Sequence, residues 1–95
     1  GKSYALILEV IKNINDPYFR CGIFRKNRQN ILCPGGLWEE MLSVSEYCRL
    51  KVKTNRHELK ITFPSGAVVQ FGHANHPNFK QYLKGTQYTA IFIDE

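Results

Sequence analysis

The sequence lacks the features that mark several large classes of protein. Its 95 residues contain no apolar run near the roughly 20 residues that cross a bilayer, and no basic and apolar signal segment stands at the start. With 43% hydrophobic and 22% charged residues, the composition excludes a disordered, collagen-like or coiled-coil chain. No internal repeat or linker divides it. We therefore predict one domain with a modest core and no membrane contact.

Cysteine is scarce and its spacing is uninformative for metal binding. Cys21, Cys33 and Cys48 are odd in number and contain no C-x-x-C pair, which predicts free thiols in a reducing cytoplasm. His73 and His76 form an H-x-x-H, but no cysteine or carboxylate stands close to them in sequence. We interpret them as loop histidines rather than as a metal site.

Positive charge is concentrated in the middle of the chain. The net charge is +5, and the segment from residue 20 to 60 holds nine basic and four acidic residues, while the two flanks balance. The basic residues of this segment are Arg20, Arg25, Lys26, Arg28, Arg49, Lys51, Lys53, Arg56 and Lys60. A basic surface of this kind favours a polyanionic partner, although a merely solvated face would give the same count.

The hydrophobic periodicity predicts an α/β fold. Apolar residues recur at helical spacing in two segments, alternate with a period of two around a Pro-Ser-Gly turn, and form one continuous run near the end. We predict helices at 4–15, 37–49 and 77–84, and strands at 21–25, 58–63, 67–71 and 88–93. The expected architecture is a mostly parallel sheet with flanking helices and an inserted β-hairpin, in which the last strand is central.

The chain opens with three residues that are typical of a phosphate-binding loop. Gly1, Lys2 and Ser3 stand directly before the first predicted helix and match the last three positions of G-x-x-x-x-G-K-[ST]. A glycine backbone lets phosphate oxygens approach the unpaired amides of the first helical turn. The lysine ammonium can reach the β and γ phosphates, and the serine hydroxyl can ligate Mg²⁺. Alone, the tripeptide also fits an ordinary helix start.

The chain closes with two carboxylates after an apolar strand. In an open α/β sheet, ligands bind outside the carboxyl ends of the strands, so Asp94 and Glu95 would share an edge with the first helix start. Asp94 would hold Mg²⁺, and Glu95 would orient and deprotonate the attacking water. Together the two ends predict a P-loop nucleotide hydrolase, provided that they meet around one magnesium-bound triphosphate.

The sequence resembles the ATPase region of the large subunit of tailed-bacteriophage terminases, over nearly its whole length. The Walker A end and the Walker B strand are shared by many ATPases. The hairpin and the G-[ST]-Q-[FY] segment that leads into the Walker B strand are more specific to this family. The segments that carry the resemblance are Gly1-Lys2-Ser3, Ile23-Phe24-Arg25-Lys26, Leu37-Trp38-Glu39, Phe63-Pro64-Ser65-Gly66-Ala67, Phe71-Gly72-His73, Gly85-Thr86-Gln87-Tyr88 and Ile93-Asp94-Glu95.

This resemblance implies ATP hydrolysis that drives double-stranded DNA into a phage procapsid. It implies ATP and Mg²⁺ as cofactors, a homo-oligomeric ring, contacts with the portal and the small terminase subunit, and a location in the host cytoplasm. Lys2 and Ser3 would then contact phosphate and Mg²⁺. Asp94 would bind Mg²⁺, and Glu95 would be the catalytic base. Nothing in the chain matches the nuclease domain of the family.

One element of the family pattern is missing. Relatives often carry an arginine shortly before the glycine of the G-[ST]-Q stretch, proposed to act on a neighbouring subunit's nucleotide, but residues 80–84 contain none. Arg25, Arg28 and Lys84 are the remaining candidates for that role. Together with Lys26, they are also the candidates for contacts to DNA phosphates.

Because residue 1 would already lie inside the phosphate loop, we expect the chain to hold part of an ATPase core and to hydrolyse ATP weakly or not at all. Two alternatives remain open. One is another DNA-acting P-loop ATPase of the helicase or recombination type. The other is a basic DNA-binding module without enzymatic activity.

Overall fold

The computed structural model describes residues 2–26, 29–73 and 88–93. Within them the helices are α1 (Lys2–Asn13), α2 (Gln29–Leu32) and α3 (Leu37–Tyr47). The strands are β1 (Arg20–Arg25), β2 (Lys53–Asn55), β3 (Lys60–Thr62), β4 (Val68–His73) and β5 (Ala90–Ile93). The predicted α/β class is confirmed, whereas the predicted helix at 77–84 lies outside the described residues.

The five strands form one sheet in the order β2-β3-β4-β1-β5. Strand β1 pairs in parallel with both β4 and β5, while β2–β3 and β3–β4 are antiparallel. The sheet is therefore mixed rather than mostly parallel. The predicted hairpin exists as β3–β4, but it is not a separate insertion, because β4 pairs directly with β1. Strand β2 was not predicted, because its three residues are polar and exposed and show no alternation of apolar residues.

Helices α1 and α3 cover one face of the sheet. Buried side chains on one face of the strands pack against buried residues that recur at helical spacing on the two helices. The ring of Trp38 packs edge-on against Phe71, with ring centroids 5.8 Å apart. The buried residues of this layer are Ile7, Val10, Cys21, Ile23, Leu37, Trp38, Met41, Ile61, Val69 and Phe71. Trp38 is thus a core residue rather than a base-stacking platform.

The opposite face is closed locally by one aromatic ring. Phe24 is buried and lies over the glycines at two neighbouring positions, Gly22 on its own strand and Gly72 on β4. Tyr88 completes the cover with an edge-on contact, at a centroid distance of 5.9 Å. A Cβ at either glycine would stand 2.8 Å from a carbon of the Phe24 ring. Glycine is required here by close approach, not by backbone conformation.

Two sequence predictions about burial were wrong. Strand β5 was predicted to be central, but it ends the strand order of the described residues, and Ile91 and Ile93 are 46% and 66% exposed. A continuous apolar run predicts burial on both faces, but it does not report how many strands lie beside it. In sequence, Cys48 continues the helical spacing of Leu37, Met41 and Val44, which predicts that it is buried with them. It is exposed, because the helix ends at Tyr47 and Cys48 forms its cap.

Substitution of Gly72 by alanine tests the packing under Phe24. We expect Gly72→Ala to lower the free energy of unfolding by about 1–3 kcal/mol, because an added carbon overpacks a closed site. Chemical denaturation followed by circular dichroism measures the loss. Adding Phe24→Leu relieves the collision, so the double variant should lose less than the sum of the two single variants. Additive losses would show that the two positions do not interact.

Candidate functional site

The carboxyl ends of the three parallel strands define one edge of the sheet. In the β1–β4 register Arg25 stands beside His73, and in the β1–β5 register Phe24 stands beside Ile93. Asp94 and Glu95 follow Ile93 directly in sequence. We call this the carboxyl edge. It is the edge at which the sequence predicts the nucleotide site.

Helix α1 runs toward the opposite edge of the sheet. Its last residue, Asn13, and the first residue of β1, Arg20, are separated only by residues 14–19, so the chain reverses direction between them. The Ser65 hydroxyl, in the turn between β3 and β4, donates a hydrogen bond to the Ile14 carbonyl and thereby holds the C-terminal end of α1 at the opposite, amino edge. At about 18 Å, α1 is about as long as the six-residue strand β1, so a helix that runs antiparallel to β1 and ends at the amino edge has its first turn toward the carboxyl edge.

The first turn of α1 is electrostatically suited to an anion. The helix begins at Lys2, and its first turn contains no acidic residue, while Lys12 stands in the last turn. The unpaired amides and the positive end of the helix dipole favour negative charge at such a terminus. We therefore expect the backbone of Lys2 and Ser3 to lie at the edge of the sheet where β5 ends.

The remaining predicted site residues divide into two groups. Arg25 is half-buried at the end of β1, on the face covered by the helices, and Lys26 is exposed directly after it. Both reach the carboxyl edge. The other predicted site residues, Gly1, Arg28, Lys84, Asp94 and Glu95, lie outside the described residues.

The described residues hold no ready-made metal centre. Over residues 2–26, 29–73 and 88–93, no three histidine, cysteine, aspartate or glutamate side chains are grouped so that they could hold an ion. The predicted Mg²⁺ ligands are Ser3 and Asp94, which would leave the rest of the coordination to phosphate oxygens and water, as Mg²⁺ prefers. In the same described part of the chain, no helix combines the length and apolar character needed to span a membrane.

Arg20 has a role that sequence reasoning missed. It was counted with the basic surface, but its guanidinium is turned inward: Nη1 donates to the carbonyl oxygens of Pro17, Phe19 and Gly66, each at 3.0 Å. It thus ties the loop between α1 and β1 to the turn between β3 and β4. Nothing in the sequence around Arg20 indicates that its side chain bonds to a turn that is distant in sequence.

The same loop also anchors β5. The Thr89 amide donates to the Arg20 carbonyl at 2.7 Å, and the Arg20 amide donates to Thr89 Oγ1 at 3.1 Å. The Val68 amide donates to the Phe19 carbonyl at 3.0 Å. The amino ends of β1, β4 and β5 are therefore fixed to one segment, residues 17–20. Because the amino edge is fixed in this way, the strand register that sets the carboxyl edge is fixed too.

No protein-family model matches the chain, and no curated protein or solved structure matches it.

Arg20→Ala tests the brace at the amino edge. We expect the free energy of unfolding to fall by about 1–3 kcal/mol, because partly buried carbonyl oxygens of Phe19 and Gly66 lose their donor. Thermal or urea unfolding measures the change. Lys26→Ala, at the exposed end of the same strand, is the matched control and should change stability by no more than about 0.5 kcal/mol. Equal effects at both positions would argue against the brace.

The three thiols should differ in how fast they react. Burial raises the pKa of the Cys21 thiol to about 12, whereas Cys33 and Cys48 are exposed. Because the raised pKa keeps Cys21 protonated, about one molecule in ten thousand carries its thiolate at pH 8. An aromatic disulfide reagent at pH 8 should therefore modify two thiols quickly in the native protein and all three in denaturant. Three fast thiols under native conditions would contradict the buried position of Cys21.

Proposed function

We propose that this chain forms part of a P-loop ATPase core that drives the translocation of double-stranded DNA, as the large subunit of a terminase does. One geometric argument carries the proposal: α1 ends at the amino edge, and its length is enough to bring its start toward the edge at which β5 ends. A triphosphate at that edge would meet the first-turn amides of α1 on one side and the carboxylates that follow β5 on the other. This supports the meeting of the two terminal motifs around one nucleotide.

In the proposed reaction the chain supplies charge and one base. Lys2 would neutralise charge on the β and γ phosphates, and Ser3 and Asp94 would hold Mg²⁺, which would offset further phosphate charge. Glu95 accepts a proton from the attacking water as the new O–P bond forms to the γ phosphorus. The bond between that phosphorus and the bridging oxygen breaks, and ADP leaves with its electron pair. Gly1 allows the phosphates to approach the backbone.

Positive side chains near the same edge would serve the transition state or the DNA. Arg25 and Lys26 follow the end of β1, and they are proposed to contact either DNA phosphates or the nucleotide of an adjacent subunit in a ring. Arg28 and Lys84 remain candidates for the same contacts. Under this proposal the protein acts in the host cytoplasm with a portal and a small terminase subunit as partners.

A second candidate function is nucleic-acid binding without hydrolysis. The concentration of exposed positive charge in residues 49–60 favours it, because such a surface binds phosphates whether or not a nucleotide site exists. The two candidates differ in one measurable respect. Only the ATPase binds nucleotide in a way that depends on Lys2 and Mg²⁺.

Lys2→Ala tests the proposed phosphate site. We expect the chain to bind a fluorescent ATP analogue in the presence of Mg²⁺, and Lys2→Ala to weaken that binding by about 10–100-fold, because a charge-assisted contact to phosphate contributes about 1.5–3 kcal/mol. Fluorescence anisotropy measures the affinity, and omission of Mg²⁺ should also reduce it.

Lys12→Ala is the matched control for that measurement. Lys12 lies on the same helix, is 71% exposed and pairs with Glu9 at 3.7 Å, at the far end from the proposed site. It should leave the affinity within about twofold of the original, because exposed ion pairs contribute little. If Lys12→Ala and Lys2→Ala behave alike, or if no nucleotide binds, the ATPase proposal fails.

A further inference from the structure

The outer edge of the sheet, formed by β2 and its flanks, concentrates the charge of the molecule. Residues 49–60 hold five basic residues and one acidic residue, which accounts for most of the net charge of +5. Four of the five basic side chains are exposed and Lys60 is half-buried. We call the set Arg49, Lys51, Lys53, Arg56 and Lys60 the basic edge. We infer that the basic edge binds the phosphodiester backbone of duplex nucleic acid.

The strand geometry arranges these charges as a stripe. Strand β2 is the outermost strand, and it runs parallel to β1, because two antiparallel pairings separate it from β4. Lys51 and Lys53 stand two residues apart, which in extended chain is about 6.6 Å. In the β2–β3 register Lys53 faces Thr62 and Asn55 faces Lys60, so Lys53 and Lys60 share the face that α1 and α3 leave open. The stripe ends at Arg56, in the turn near the carboxyl edge.

The turn that carries Arg56 is held in place by hydrogen bonds. The Glu58 amide donates to Asn55 Oδ1 at 3.1 Å, and the side-chain amide of Gln70 donates to the carbonyl oxygens of Glu58 and Leu59. Leu59 is buried with a positive φ of 56°. The basic edge is therefore a formed surface before any partner arrives, and a formed surface loses less conformational entropy on binding.

The chemistry of the basic edge fits a phosphate backbone better than a protein or a membrane. Protein interfaces depend on a central cluster of apolar or aromatic anchors, and peripheral membrane proteins insert apolar side chains. Among the described residues, the large exposed apolar side chains are Tyr4, Leu8, Tyr18, Tyr47, Ile91 and Ile93. Only Tyr47, at the end of α3, is near the basic edge in sequence. The edge itself offers cations with neutral hydrogen-bonding neighbours, Thr54 and Asn55.

The basic edge is separate from the candidate nucleotide site. Three strand spacings divide β2 from β1, a distance of about 14 Å, and β5 lies on the far side of β1. A duplex bound along β2 would thus be centred about three strands away from β1. The choice of DNA as the natural duplex rests on the proposed function, whereas the contact to phosphate rests on the charges and geometry of the basic edge.

Paired charge removal tests the inference on the full chain. The variant Lys51→Gln/Lys53→Gln should bind a fluorescein-labelled duplex DNA of about 25 base pairs roughly tenfold more weakly at low salt, and the slope of log affinity against log salt should fall by about 2. Fluorescence anisotropy over a salt series measures both. Circular dichroism and thermal unfolding check that the variant is folded.

The control is Lys12→Glu, a single change on α1 that lowers the net charge by the same amount as the paired variant. We expect its affinity to stay within about twofold of the original, with an unchanged salt slope. If the control variant weakens DNA binding as much as the paired variant, the contact lies elsewhere or reflects net charge alone, and the inference is wrong. Tighter binding to phosphatidylserine vesicles than to the duplex would also overturn it, whereas an equal loss on duplex RNA supports a phosphodiester contact.

The outcomes separate this inference from the proposed function. Loss of duplex binding in Lys51→Gln/Lys53→Gln with normal ATP-analogue binding supports both. Loss of duplex binding in a chain that binds no nucleotide supports the basic edge and contradicts the ATPase. Unchanged duplex binding in that variant contradicts the basic edge even where Lys2-dependent nucleotide binding is present.

Discussion

The architecture depends on how the loop between α1 and β1 is held at the amino edge. Arg20 donates to two carbonyl oxygens within that loop and to one in the β3–β4 turn, and Ser65 donates from the turn to the end of α1. These bonds join a helix, two strands and a turn that are distant in sequence. They set the direction of α1 against β1, and that direction determines which groups reach the carboxyl edge.

The basic residues of the chain lie in three different structural settings. The Arg20 guanidinium is hydrogen-bonded to backbone carbonyl oxygens. Arg25 and Lys26 lie at the end of β1, and the basic edge lies on the outermost strand, away from both. A count of basic residues over 20–60 does not distinguish these three settings. Separating them requires the strand order, because residues that are neighbours in sequence, such as Arg20 and Arg25, stand at opposite edges of the sheet.

Hydrophobic periodicity was enough to predict most of the described elements. It found α1, α3, β1, β5 and the β3–β4 hairpin, because each has an apolar pattern that matches its own period. It missed β2, whose exposed polar residues are held by pairing rather than by burial, and it misplaced β5, since an apolar run does not reveal its neighbours. The candidate site was predictable only as two short motifs. The proposal that they share an edge rests on a chain reversal that depends on the bonds of Arg20 and Ser65, which local sequence does not encode.

The bonds that brace the C-terminal end of α1 have a mechanical consequence. They fix residues 14–20 at the amino edge, and α1 extends from there over about 18 Å. A rigid tilt of only about 5° around that end would carry the first turn roughly 1.5 Å sideways, which is half the length of a hydrogen bond. A small angular change at the braced end would therefore be enough to make or break contacts at the start of the helix.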